Sequence, residues 1–125
     1  MGLFSFGASN KSSANLNWTT IQTVEELENA IKNSVDKPSL FFKHSTRCSI
    51  SSMALNRFEN GFTADDSRCN LYFIDLISHR AVSNEIADKL NVTHQSPQVI
   101  VLNNNEVIYT ASHSSIDTQQ IERLL

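Results

Sequence analysis

The chain has 125 residues, 40% of them hydrophobic, with 10 Lys or Arg against 13 Asp or Glu and a formal charge of −3. That length suits one domain with a core of its own, whereas crossing a bilayer takes ~20 consecutive apolar residues and neutralising phosphates takes a basic surface. The sequence offers neither, and its two cysteines, Cys48 and Cys69, are too few for a secreted disulfide framework.

Residues 1–16 hold two glycines, repeated Ser and Asn, and a small apolar cluster at Leu3, Phe4 and Phe6. The charged start and long apolar stretch of a signal peptide are missing, and Phe6 breaks the myristoylation pattern. A flexible N-terminal tail is expected over 1–16, followed by one domain over 17–125. A short strand is expected around Asn17-Trp18-Thr19. Thr23 and Glu26 form a capping box opening a helix with Val24, Leu27, Ile31 and Val35 on its apolar stripe, ended by Lys37-Pro38. Ser39 to Lys43 is short and aromatic and reads as a buried strand. Ser49 to Asn60 reads as a helix with Ile50, Met53, Ala54 and Phe58 on one face and Gly61 in the C-terminal capping position. Asn70 to Leu76 is the next strand and Arg80 to Leu90 the next helix, with Val82, Ile86 and Leu90 spaced by four. Gln98 to Leu102 and Glu106 to Thr110 make a hairpin across Asn103-Asn104-Asn105, residues that tolerate positive φ. Asp117 with Gln120 opens a last helix bearing Ile121, Leu124 and Leu125. Alternating strands and helices make parallel crossovers, and the tight final turn demands an antiparallel pair. The expected fold class is therefore α/β, a thioredoxin-like fold with a mixed four- to five-stranded sheet and helices on both faces.

In this layout Lys43-His44-Ser45-Thr46-Arg47 leaves a strand and Cys48 begins a helix. A thiol attacks only as thiolate, and helix-start amides with an adjacent cation favour that anion. Arg47 is adjacent, Lys43 and His44 stand at the strand end, and no carboxylate falls between Lys43 and Arg57. An inert buried Cys is the plainer alternative, but Ser45, Thr46, Arg47 and Ser49 are poor company for a core residue. Three residues on, where a dithiol motif carries its second Cys, stands Ser51. Its hydroxyl suits a hydrogen bond to a thiolate and cannot close a disulfide. A lone nucleophile of this kind suits exchange of a small thiol with another protein.

Cys69 follows Asp65-Asp66-Ser67-Arg68, just before a strand. Strand starts lie at the sheet edge opposite the strand exit that carries Cys48, so Cys69 is not expected to resolve a disulfide on Cys48. Four histidines and two cysteines invite a metal hypothesis, but no Cys-x-x-Cys or His-x-x-x-His pair exists, and no metal site is expected. His113 is read as a loop residue.

The stretches Phe41 to Ser51, Val82 to Ala87 and His94-Gln95-Ser96-Pro97-Gln98-Val99 resemble the monothiol bacilliredoxin family, from about Trp18 to the C-terminus. The resemblance implies that Pro97 is cis and faces Cys48, with the backbone before it open to an incoming thiol or peptide. It implies removal of a low-molecular-weight thiol, bacillithiol or one similar, from S-thiolated cytosolic proteins. Cys48 is the nucleophile, with Arg47 and Ser51 assisting, and Ser45, Thr46, Ser96 and Pro97 bind substrate. No cofactor is bound, the small thiol being a co-substrate, and the protein is expected to be a cytoplasmic monomer without nucleic-acid or membrane partners. The usual family motif is Cys-Pro-Ile-Ser, and Ser49 replaces its Pro. Two alternatives stand beside this reading. One is a redox-inactive thioredoxin-like binding module. The other is a monothiol glutaredoxin, whose Cys-Gly-Phe-Ser signature is absent.

Overall fold

The structure is a computed structural model and describes residues 16–125. The expected tail falls outside that range except for Leu16, which packs against the core rather than belonging to a tail. Five strands form one mixed sheet in the order β1-β3-β2-β4-β5. They are β1 (Thr19–Thr20), β2 (Ser39–His44), β3 (Asn70–Asp75), β4 (Gln98–Asn103) and β5 (Glu106–Ser112). β3 runs parallel to both β1 and β2, while β4 is antiparallel to β2 and β5. The central strand β2 is buried along its whole length.

Among the described residues four helices cover the sheet: α1 (Val24–Asn33), α2 (Ser49–Gly61), α3 (Arg80–Leu90) and α4 (Thr118–Arg123). Alternation along β2 splits the core in two. Leu40 and Phe42 face a cluster with Ala54 and Phe58 of α2 and Ile121 of α4. Phe41 faces Leu27 and Ala30 of α1 and Val82 and Ile86 of α3. Complete burial of a Phe side chain is worth ~1.5–3 kcal/mol, so β2 is the strand that ties both layers together. Trp18 adds an aromatic wedge, its ring 5.7–5.9 Å from those of Phe42, Phe58 and Phe73, with its indole N–H donating to Glu59 at 2.8 Å.

The Thr23–Glu26 capping box forms, and Asp117 accepts from the amides of Gln119 and Gln120. Asn104 and Asn105 take positive φ in the β4–β5 turn, at 54° and 67°. Four local expectations are corrected. The α1 helix stops at Asn33, where the Ser34 hydroxyl and amide both donate to the Ile31 carbonyl, and Val35 beyond it is exposed. On α2 the inward face is Ser51, Ala54 and Phe58, a 3-4 spacing that turns Ile50 and Met53 to solvent. Gly61 is the last helical residue rather than a left-handed cap, and Phe62 follows as C-cap. A Cβ on Gly61 would lie 2.7 Å from Thr118 Oγ1, so close approach to α4 accounts for the glycine. The last helix ends at Arg123, leaving Leu124 exposed, and a 3₁₀ turn at His113–Ser115 precedes it.

Candidate functional site at the end of strand β2

At the C-terminal end of β2 the chain makes a tight turn, closed by the Cys48 amide donating to the Ser45 carbonyl at 3.2 Å. Cys48 then sits at the N-cap of α2 in extended backbone, with no side-chain capping bond. An N-cap normally uses Ser, Thr, Asp or Asn to accept from the first free amides. Here a half-exposed sulfur takes that place. The first turn of α2 holds no acidic residue.

Ser51 is fully buried, and its Oγ stands 2.7 Å from His44 Nδ1 and accepts from the Ser45 amide at 3.1 Å. The hydroxyl expected on the sulfur is therefore tied to the strand exit, and its bonded partners are His44 and Ser45. It locks the turn that presents Cys48. His44 lies on the α2 side of β2, its ring 5.5 Å from that of Phe73. Burial pushes its pKa below the usual histidine value, partly opposed by Asp75. Thr46, Arg47 and Ser49 are exposed, and among the described residues the Arg47 side chain has no hydrogen bond or ion pair.

Pro97 stands at the same sheet edge. The Ser96–Pro97 peptide bond is cis, and the next residue, Gln98, pairs with Lys43. The Pro97 carbonyl accepts from the His113 amide at 3.1 Å, so His113 serves the loop through its backbone. Lys43 was expected to add positive charge beside Cys48. Alternation sends it to the other face of β2, with Phe41 and away from α2. It is wholly buried, and its Nζ has no hydrogen-bond partner among the described residues. Burial, then Arg80, pull its pKa from 10.5 down to about 8.

Cys69 lies at the far edge. It precedes Asn70, which pairs with Ser39 at the start of β2, while Cys48 lies beyond the strand's end. A six-residue strand at ~3.3 Å per residue puts ~17 Å between the two edges, against the ~7 Å between Cα atoms that a disulfide tolerates. Cys69 is 2% exposed, its thiol donates to the Asn70 carbonyl at 3.4 Å, and burial pushes its pKa up to about 12. Both cysteines are free.

Residues 19–121 match the family model of the monothiol bacilliredoxins. The chain belongs to that family. A solved structure described as having a thioredoxin fold is 24% identical, with a TM-score of 0.76 over 91% of this chain and 97% of the other. Thioredoxin from Malassezia sympodialis (16% identity, TM-score 0.63, 84% of each chain) shares the fold. So does thioredoxin O2 from Arabidopsis thaliana (17% identity, TM-score 0.61, 86% of this chain and 90% of that one). Within the bacilliredoxin family, then, this chain is a thioredoxin-fold thiol redox protein with Cys48 at the start of the helix after the central strand. Two residues noted in the sequence only as positive charge near Cys48 have other roles in the structure. His44 is the hydrogen-bond partner of Ser51, and Lys43 is a buried amine. Strict alternation after Phe41 and Phe42 was the available signal for both. No helix among the described residues is long and apolar enough to cross a membrane.

Proposed function

We propose that the protein is a monothiol oxidoreductase that strips a low-molecular-weight thiol, bacillithiol or one like it, from mixed disulfides on cytosolic proteins. The Cys48 thiolate attacks the small-thiol sulfur. A bond forms between Cys48 and that sulfur, the mixed disulfide breaks, and the client cysteine leaves as thiolate and takes a proton from water. A second molecule of the small thiol, as thiolate, then attacks the Cys48 mixed disulfide. This yields the oxidised small-thiol dimer and regenerates Cys48. Arg47, next to Cys48 in the chain, and the first-turn amides of α2 would favour the negative charge passing through this sulfur. Ser51 holds the turn, and Ser45, Thr46, Ser96 and Pro97 line the approach.

The observation that supports a one-cysteine cycle is the contrast between the two thiols. Cys48 is half-exposed at one sheet edge, and Cys69 is buried at the other with a pKa near 12. The test is intact mass of a bacillithiolated client protein incubated with each variant and free bacillithiol. C48S is expected to abolish release, and C69A to leave it nearly intact. Recovery of a Cys48–Cys69 disulfide peptide from the oxidised monomer would overturn the cycle.

A further inference from the structure

Two cationic side chains, Lys43 and Arg80, and the His94 ring are carried by the end of β2, the start of α3 and the loop before β4. Lys43 is wholly buried, with no hydrogen bond or ion pair to its Nζ among the described residues. Arg80, the first residue of α3, is exposed at the rim. His94 is half-exposed; burial, then the Lys43 and Arg80 charges, depress its pKa, and its Nδ1 lies 3.4 Å from Ser83 Oγ. Ser96 Oγ is also buried without a partner. The N-terminus of α3 adds its own partial positive charge. Its N-cap, His79, makes no side-chain capping bond, and its first turn carries no acidic residue.

Among the described residues no acidic side chain forms an ion pair with Lys43 or Arg80. The ion pairs among the described residues are those of Lys89 with Glu28 and Glu85. The Asp75 carboxylate accepts from the Ile77 amide and the Ser78 hydroxyl, and it lies on the α2 side of the sheet, opposite Lys43. A buried amine held beside like charges is costly unless an anion joins it. An uncompensated cluster of this kind is the complement of a carboxylate or similar group.

We propose that Lys43, Arg80 and His94, with the open start of α3, receive an anionic group carried by the small-thiol half of the disulfide that Cys48 attacks. This rests on the reading of Cys48 given above. Position supports the assignment: Lys43 pairs with Gln98, next to Pro97, at the edge from which Cys48 projects.

The test compares three symmetrical disulfides: 3,3′-dithiodipropionate, which is anionic, bis(2-hydroxyethyl) disulfide, which is neutral, and cystamine, which is cationic. In each case Cys48 bonds to one sulfur, the reagent's S–S bond breaks, and the other half leaves as thiolate and is protonated by water. Intact mass follows the rate. The wild type is expected to react with the anionic reagent roughly tenfold faster than with the neutral one, and slowest with cystamine. In Lys43→Met and in Arg80→Gln, whose site is exposed, the anionic-to-neutral ratio falls to about two or less. Equal wild-type rates, or a ratio unchanged in both variants, would overturn the proposal. A separate arm titrates C48S with succinate and follows the His94 ring and the Arg80 and Ala81 amides by NMR. Saturable shifts that vanish when K43M is added are expected, and their absence overturns the site. Should Cys48 ignore all three reagents while succinate still binds, the redox reading fails and the anion site stands.

Discussion

Replacing Lys43 with Met keeps the unbranched apolar stem and removes only the buried amine. A fall in pKa from 10.5 to about 8 corresponds, at 1.36 kcal/mol per pH unit, to about 3 kcal/mol. The sign follows from proton counting. Below pH 8 the folded and unfolded chains both carry the ammonium, and the folded one bears its desolvation cost in full. Between pH 8 and 10.5 the unfolded chain binds more protons than the folded one, so this group makes stability rise with pH until the cost is gone. K43M is therefore expected to be about 3 kcal/mol more stable than wild type at pH 7, with the gap closing as pH climbs through that window. Urea unfolding in chloride buffers at pH 7, 8.5 and 10, followed through Trp18 fluorescence, reads the difference. Taking wild type minus variant removes the other titrating groups. A K43M protein no more stable than wild type at pH 7, or a gap that ignores pH, would refute the buried, unpaired amine.

Three further outcomes follow from other contacts. At pH 8 a thiol with a pKa near 12 is ~10⁻⁴ ionised, whereas an ordinary accessible thiol is about one-quarter ionised. Iodoacetamide should thus modify Cys48 at least ~10³-fold faster than Cys69, and comparable rates on native protein would contradict the burial of Cys69. Ser51→Ala strips partners from the Ser45 amide and His44 Nδ1 and should cost ~1–3 kcal/mol in urea unfolding; an unmoved midpoint argues against the lock. Gly61→Ala should be tolerated better by about 1 kcal/mol in a Thr118→Ala background than in wild type, because the new Cβ meets Thr118 Oγ1; strict additivity of the two changes would deny that contact.

Much of the fold could be read from sequence because its signals are local. The Thr23–Glu26 box, the Asn-rich hairpin turn and the Asp117 cap each use side chains within four residues of one another, and all three form. The order of elements was legible for the same reason, and β2 announced itself by its aromatic run. What resisted reading depends on distant partners. Apolar periodicity placed Ile50 and Met53 inward, since it cannot see that a hydroxyl, Ser51, fills a core position by bonding to His44. Val35 looked like one more turn of α1, but the helix ends at Asn33 and Val35 lies exposed beyond it. Gly61 reads as a cap from sequence, and only the approach of α4, 57 residues on at Thr118, supplies its actual reason. At the site, Cys48 and the turn before it follow from strand-then-helix order. Which face of β2 receives Lys43 follows from alternation, but its lack of any partner is a property of the whole packed molecule.

The alternation at the end of β2 also sets which mutations evolution could use here. His44 and Lys43 are neighbours in the chain, yet one serves the α2 layer through Ser51 and the other the α3 layer beside Arg80 and His94. Inserting or deleting one residue within Ser39–His44 would exchange the two, putting an amine against Phe73 and an imidazole among the α3 contacts. A length change in the 45–47 turn would leave both layers intact and merely move the sulfur. The strand is consequently open to substitution but closed to changes in length, and drift in how the sulfur is presented falls to the turn.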